Sequence, residues 1–397
     1  MRTKQTAIKT TCGKRSQILI IGTCILASSG IFLSVKFLAA IESLSPSFAE
    51  ETNNNRFQHD AGNSNMNNTF DDNTMVKDTL PFQDYKLNLR MLKYPLQEVN
   101  CHLNSGNNTQ PIIMHSTEII HWVCNNGGEK AVTKVMLYTF NEYYTNEKKD
   151  NDAGHLMLDI GSNAGYYGLL AATYGLKTVA FDLQPECVAV IQNSILVNNL
   201  GENMRVIPKG VSEGKVNETT TMQVPDEGCY GRFPFAVSAK TSKHVDVELH
   251  PLQYYLPSSS KIIKMMKVDT EGNEKRVLVG ALPFFASQKI KNAIVEVTPG
   301  HGFWSKANIT AEEMSDVLIQ IIDEYQYAMI PLVAKDSTKF QASMLSYVGA
   351  QNKTTILGDE RIIFTDGKRA TEYMLSDASP LQFDIWLLPS QDLHKLT

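Results

Sequence analysis

The stretch LMLDIGSNAGYYG, Leu156 to Gly168, constrains the fold more than any other part of the chain. A short apolar run ends in a carboxylate, a turn rich in glycine follows, and a helical stretch opens directly behind it. Strand, turn and helix in that order describe the first half of a βαβ unit, whose turn lies at the carboxyl edge of a parallel sheet. Gly161 and Gly165 supply backbone dihedrals closed to other residues and leave room for a close ligand. The spacing D-x-G-x-N-x-G lacks the close glycine pair of the dinucleotide fingerprint, and no G-K-[ST] follows to make a P-loop. The layout suggests a nucleotide-like ligand, with NAD a second choice.

From residue 150 onward the pattern is regular. HLMLDI is a strand, Tyr166 to Tyr174 a helix, KTVAFD a second strand, PECVAVIQNSILVNNL a helix opened by Pro185, and MRVIPKGV a third strand. Residues 212–256 break the rhythm and read as an excursion with a short hairpin. KIIKMMKVD is a fourth strand, NEKRVLVGALPFF a helix and KNAIVEV a fifth strand. TAEEMSDVLIQIIDEYQ is an amphipathic helix with Thr310 placed to cap it and Glu312 and Glu313 in its first turn. YAMIPLV and QFDIWLLPS supply two last strands. The alternation predicts a parallel α/β sheet with helices on both faces.

At the other end of the chain, Arg2, Lys4, Lys9, Lys14 and Arg15 precede the apolar run Gln17 to Ile41, whose first charge is Lys36. About 20 apolar residues cross a bilayer as a helix, and a lysine near the far end snorkels to the interface. With Glu42, Glu50 and Glu51 beyond it, the expected arrangement is a cytoplasmic tail over 1–16, a transmembrane signal anchor over 17–41 and the remaining chain across the membrane. A cleaved signal peptide, giving a secreted protein, and a helix of the core are the competing readings. Residues 42–85 include the Asn-rich ETNNNRFQHDAGNSNMNNTFDDN and have little to bury, so they are expected to form a disordered stem. Residues 86–150 read as an extension packing on a main domain over 151–397.

The formal charge of −5 in 397 residues, with no cluster of Lys and Arg beyond the N-terminus, excludes nucleic acid as a partner. Beyond the span lie Cys101, Cys124, Cys187 and Cys229, which allow three pairings. Cys101 with Cys124 is the expected bridge, because both lie in a loop-rich region, and Cys187 on a helix is expected to be a buried thiol. No C-x-x-C spacing suggests zinc. Sequons at Asn67, Asn107, Asn217, Asn308 and Asn352 permit glycosylation without arguing for it.

Four acids, Asp159, Asp182, Asp269 and Glu296, fall at strand ends, where open α/β sheets bind ligands. Asp182 follows the glycine turn at the distance where an acid takes both hydroxyls of a ribose, its competing role being a cap ahead of Pro185. Taken together, LDIGSNAGYYG, VAFDLQP and KVDTEGNEKRVLVGA followed by IVEV resemble the FkbM family of S-adenosylmethionine-dependent methyltransferases, over roughly Leu156 to Gly300. The D-x-E-G-x-E block is the most discriminating of these.

That resemblance implies a Rossmann-like, mostly parallel seven-stranded sheet, S-adenosylmethionine as cofactor, and O-methylation of sugars or hydroxylated natural products. It places Asp159, Gly161, Ser162, Asn163 and Gly165 around the cofactor and Asp182 on its ribose. The acid at Asp182 is more commonly Glu in the family, and Thr270 stands where an aliphatic residue is usual. The hydroxyl to be methylated must lose its proton, and Asp269 and Glu271 are the candidate bases, supported by Glu296. Their competing role is to cap the following helix, and His301 is an alternative base. The expected protein is a single-pass type II membrane enzyme of the Golgi or another secretory compartment, acting on glycans or other hydroxylated acceptors. A binding or scaffolding protein that keeps the fold without turnover is the alternative of another class.

Overall fold

The computed structural model of the chain describes residues 98–101, 112–115, 129–142, 155–214, 218–225, 229, 242–256, 261–300, 302–333, 353–377 and 379–396. The expected tail, span and stem lie outside these residues, as do Cys124, His301 and every sequon except Asn308. Among the described residues no helix is long and apolar enough to cross a membrane.

Strands β1 (Glu98–Cys101) and β2 (Ile112–His115) form an antiparallel pair, and helix α1 spans Lys130–Glu142. The regular part then runs β3 (His155–Ile160), α2 (Tyr166–Thr173), β4 (Lys177–Phe181), α3 (Pro185–Val197) and β5 (Met204–Ile207). The excursion follows as β6 (Gly210–Val211), β7 (Glu218–Pro225), β8 (Ser242–His250) and a single turn α4 (Leu252–Tyr255). The sheet resumes with β9 (Ile262–Val268), α5 (Glu274–Ala286), β10 (Ala293–Val297), a short α6 (Phe303–Lys306), α7 (Ala311–Ile319) and β11 (Tyr327–Leu332). The last elements are β12 (Lys353–Ile356), β13 (Asp359–Ile362), α8 (Gly367–Met374) and β14 (Phe383–Pro389).

Seven strands make one sheet in the order β11-β14-β10-β9-β3-β4-β5. All neighbours are parallel except those of β14, which runs antiparallel to both β10 and β11. The chain leaves β3 toward β4 and β5, then returns on its other side with β9, so the switch point lies between β3 and β9. Their carboxyl ends frame the crevice where such sheets bind ligands.

The strands are near-continuous apolar runs because both faces are covered. Leu158, Val268, Val295 and Ile385 pack on one side against α5, α7 and α8, while Met157, Met265, Ile294 and Trp386 pack on the other against α1, α2 and α3. Thr310 caps α7 in a reciprocal box with Glu313: its hydroxyl accepts from the Glu313 N–H at 3.1 Å, and its own N–H donates to Oε2 of Glu313 at 2.8 Å.

The hairpin expected in the excursion is β7 with β8, and β6 adds to β8 in parallel. The expected third strand is interrupted: β5 stays in the main sheet and Gly210 and Val211 leave it. The β12–β13 hairpin and α8 were not expected from the sequence.

The expectation for Cys187 is corrected, while the expected Cys101–Cys124 bridge involves a residue outside those described. Cys187 is not a thiol: it is bonded to Cys229 at a Cα separation of 4.7 Å, inside the usual range for a bridge. Its position on the buried side of α3 identified a small apolar group but carried no information about a partner 42 residues away. The bridge fastens the excursion to α3. Cross-linking a loop of that length stabilises by about 4 kcal/mol in the chain-entropy relation. Cys187→Ser with Cys229→Ser is therefore expected to lower the midpoint of thermal unfolding clearly, and the same fall should appear in the unaltered protein under reductant; an unchanged midpoint in both would show that the bridge carries no stability.

Candidate functional site

The crevice is underlain by a row of charged side chains. On the sheet face that packs against α1, α2 and α3, the positions two residues beyond Met157, Met265 and Ile294, and two before Trp386, are Asp159, Lys267, Glu296 and Asp384. Four adjacent strands thus place one charged group each near the same edge. Asp159 and Lys267 are register partners across β3 and β9, and Glu296 and Asp384 across β10 and β14. All four are at least nine-tenths buried.

Asp159 organises the turn from beneath. Its Oδ2 accepts the N–H of Gly168 at 2.9 Å, which ties the end of β3 to the first turn of α2, where backbone amides are otherwise unpaired. Burial pushes its carboxyl up to about 6, against the pull of Lys267 and that amide. Ser162 donates to the Asp159 carbonyl at 2.6 Å and receives the Phe181 N–H at 3.1 Å, while the amides of Gly161 and Ser162 both donate to the Phe181 carbonyl. The hydroxyl expected on the cofactor therefore joins β3 to β4.

Gly161 and Gly165 adopt φ of 80° and 85°. A Cβ on Gly161 would lie 1.8 Å from the carbonyl oxygen of Asp269, and one on Gly165 would lie 2.8 Å from Ile191 on α3. These glycines are thus required by close approach of the protein's own strand and helix, and through that they bring the turn against the end of β9.

Asp182 occupies the end of β4 and accepts one backbone N–H on each oxygen: Asn163 to Oδ2 at 2.7 Å and Gln184 to Oδ1 at 2.8 Å. It caps the chain entering α3 and also clamps the glycine turn, with Asn163 in the left-handed region at φ 52°. Burial pushes the carboxyl up to about 7, with the amides of Gln184, Asn163 and Leu183 acting the other way. A carboxylate offers about four acceptor positions, so it retains capacity for a hydroxyl donor such as that of a ribose.

At the end of β9, Lys267 donates to Oδ2 of Asp269 at 2.6 Å and lies 5.2 Å from the centre of the Tyr167 ring. Tyr167 on α2 in turn receives the backbone N–H of Glu129 at 3.2 Å. Burial opposes the lysine's charge, but Asp269, Glu129, Tyr167 and Asp159 outweigh it and hold the ammonium well above the ordinary lysine range.

The turn after β9 is built by Glu274, the last acid of D-x-E-G-x-E. Its Oε1 accepts the amides of Thr270 and Gly272 and the Thr270 hydroxyl at 2.9–3.0 Å, and its Oε2 accepts Nε1 of Trp304 at 3.2 Å. The capping role weighed for Asp269 and Glu271 is filled by neither: the N-cap of α5 is Asn273, without a side-chain cap bond, and Glu274 ties down the turn ahead of it. Asp269 keeps its side chain 29% exposed at the rim, with Glu271 beside it at φ 52°. Among the described residues no group of three or more His, Cys, Asp or Glu is arranged to hold a metal ion.

The structure brings Asp159, Gly161, Asn163, Gly165, Asp182, Asp269, Glu271 and Glu296 to one rim. Sequence reasoning missed Lys267, Glu129, Tyr167, Glu274 and Asp384. Glu274 was visible in the quoted motif, and Lys267 as a charge inside an apolar strand two residues before Asp269.

Residues 159–329 match the family model described as the methyltransferase FkbM domain. Among solved structures, the METTL16 methyltransferase domain is 16% identical, with 45% of this chain and 57% of that one covered and a TM-score of 0.26. The plantazolicin methyltransferase BamL, in complex with a triazolic desmethylPZN analog and SAH, is 12% identical over 69% of this chain and 90% of that one, with a TM-score of 0.31. The N-terminal domain of human METTL16 in complex with SAH is 13% identical, with 75% of each chain covered and a TM-score of 0.25. No curated protein matches the chain.

Three outcomes follow from the geometry. Gly161→Ala should destabilise the protein by more than about 2 kcal/mol in urea titration, because it combines a strained φ with a collision against backbone. Lys267→Met should cost about 3–5 kcal/mol in the same assay, since it leaves buried carboxylates without their cation. Asp159 and Asp182 have native pKa values above the ordinary aspartate range near 3.9, so between that value and about 6 or 7 the folded state binds more protons than the unfolded one. Their contribution to stability accordingly rises as pH falls from about 7 toward 5. A ligand whose hydroxyls donate to Asp182 needs the ionised form, so its affinity falls over the same window. Calorimetric titration of S-adenosylhomocysteine between pH 5 and 8 should show that slope, and Asp182→Asn should remove it.

Proposed function

With a methyltransferase FkbM domain matched over residues 159–329 as premise, we propose that this S-adenosylmethionine-dependent methyltransferase transfers the methyl group to hydroxyl oxygens. Glycans of the secretory pathway are the proposed acceptors. The observation that carries the reading is the end of β9: a carboxylate, Asp269, is held at the rim by a buried lysine, one strand away from the glycine turn and two from Asp182.

The cofactor, when bound, supplies an electrophilic methyl group on a sulfonium centre. The chain does the rest. Asp182 offers its remaining acceptor capacity to the ribose hydroxyls, and the turn from Gly161 to Gly165 lays bare backbone beside them. Asp269 has one oxygen on Lys267 and the other free to accept the proton of an incoming hydroxyl. Lys267 fixes where that carboxylate points, and Tyr167 and Glu129 fix Lys267. Holding the hydroxyl in line with the methyl is the larger part of the catalytic task, because it turns a bimolecular displacement into one between positioned groups.

The compartment is argued from two features. The Cys187–Cys229 bridge suits an oxidising lumen. The basic segment and the apolar run Gln17 to Ile41 suit a type II anchor with the catalytic domain on the lumenal side. Expression of the full chain followed by protease protection of the microsomal fraction tests this placement, and cleavage of the domain in intact vesicles would refute it.

Asp269→Asn is expected to lower kcat about 10²- to 10⁴-fold, the range of a positioned general base, while S-adenosylhomocysteine binds within about threefold of the unaltered protein. Transfer of labelled methyl from S-adenosylmethionine to released glycans is the measurement. Product carrying the label on nitrogen or carbon, or a variant as active as its parent, would refute the reading.

A further inference from the structure

One oxygen in the buried row lacks a partner. Glu296 is 6% exposed, and its Oε1 receives Nε2 of Gln382 at 2.5 Å. Its Oε2 is buried and makes no hydrogen bond. Asp384 faces it across the β10–β14 pair, Asp269 from the end of β9 and Glu271 from the following turn. Burial, then Asp269, Asp384 and Glu271, push the Glu296 carboxyl up to about 11, with only Gln382 acting downward. That shift favours the neutral acid. Because Gln382 donates to Oε1, the proton then belongs on Oε2, a buried donor without an acceptor. Leaving such a donor unpaired is unfavourable, and a ligand oxygen would relieve it.

Val268 lies opposite Val295 in the parallel β9–β10 pair, so the next positions, Asp269 and Glu296, are neighbours with Cα atoms about 5 Å apart. They want opposite partners, since Asp269 accepts a hydrogen and Glu296 offers one. We propose that Glu296 donates through Oε2 to a second oxygen of the acceptor, and so determines specificity for uncharged acceptors that carry an ether or hydroxyl oxygen beside the reacting hydroxyl. The inference rests on the hydroxyl-directed reading above. An anionic acceptor would bring further negative charge to a rim where Asp269 and Glu271 already act on Glu296 and where Lys267 is already paired with Asp269.

The test uses the full chain saturated with S-adenosylhomocysteine and two probes that differ only at C6, methyl glucoside and methyl glucuronide, with binding read by saturation-transfer NMR and calorimetry. Methyl glucoside should bind at least tenfold tighter than methyl glucuronide. Glu296→Ala should weaken that binding tenfold or more, and Glu296→Gln, whose amide keeps a donor in place of Oε2, should restore it to within about threefold. Preference for the anion, or Glu296→Gln as damaging as Glu296→Ala, overturns the proposal. Binding of neither probe also overturns it while S-adenosylhomocysteine stays bound. Failure to bind S-adenosylhomocysteine itself removes the methyltransferase reading instead. Infrared difference spectra of the unaltered protein against Glu296→Gln need no acceptor: loss of a protonated carboxyl band is expected, and loss of an ionised carboxylate band overturns the assignment.

Discussion

A single ammonium, that of Lys267, allows the carboxyl edge of this sheet to gather acids without coming apart. Asp269, Glu129 and Asp159 all act on it, and it is fully enclosed. Removing such a charge from water is expensive, and only several opposing groups at short range make it tolerable. The consequences spread outward along bonds. Asp159, beside Lys267 in register, fixes the first turn of α2 through Gly168; the turn between them comes to rest on the carbonyl of Asp269 and on the Asp182 carboxylate; and Tyr167, on the same helix, closes over the lysine. The glycine turn and the end of β9 are therefore one construction, and neither could take its observed shape without the other.

Most of the fold was legible because strands buried on both faces read as unbroken apolar runs, and such runs alternate with helices at a spacing that leaves few topologies. All seven strands of the main sheet were recognisable on those grounds. The β12–β13 hairpin was not, because KTTI and DERI are too polar to stand out, and they pair outside the main sheet. The acids at strand ends were found by position alone. Lys267 was hidden by its context: within IIKMMKV it looks like the solvated position of a half-exposed strand, and only the burial of the neighbouring strands and α2 shows otherwise. Gly161 and Gly165 were picked out correctly but for a different reason, since the atoms that exclude a side chain there belong to Asp269 and Ile191. A close approach between segments a hundred residues apart leaves no local pattern to read.

The Cys187–Cys229 bridge ties the excursion to the same construction. Sγ of Cys229 lies 3.3 Å from Oδ1 of Asn163, the residue whose amide clamps Asp182, and Cys187 sits on α3 just beyond the cap that Asp182 provides. A covalent link at this point limits how far the excursion and the turn can separate. Because each element borders the proposed cofactor site, oxidation of the bridge and order at the site are physically linked.

The sorting of charge along the rim also bears on how a proton leaves. Burial pushes the carboxyls of Glu296 and Asp384 upward, toward their uncharged forms, whereas Asp269 stands beside Lys267 and keeps part of its side chain exposed. In the proposed reaction, a hydroxyl proton taken by Asp269 has a path to water that does not cross the buried pair. If the pair were ionised, it would repel the base and any negative charge developing on the acceptor oxygen. Uncharged acids in the interior and an ion pair at the edge would therefore serve the same step, because the buried side adds no negative charge where Asp269 takes the proton.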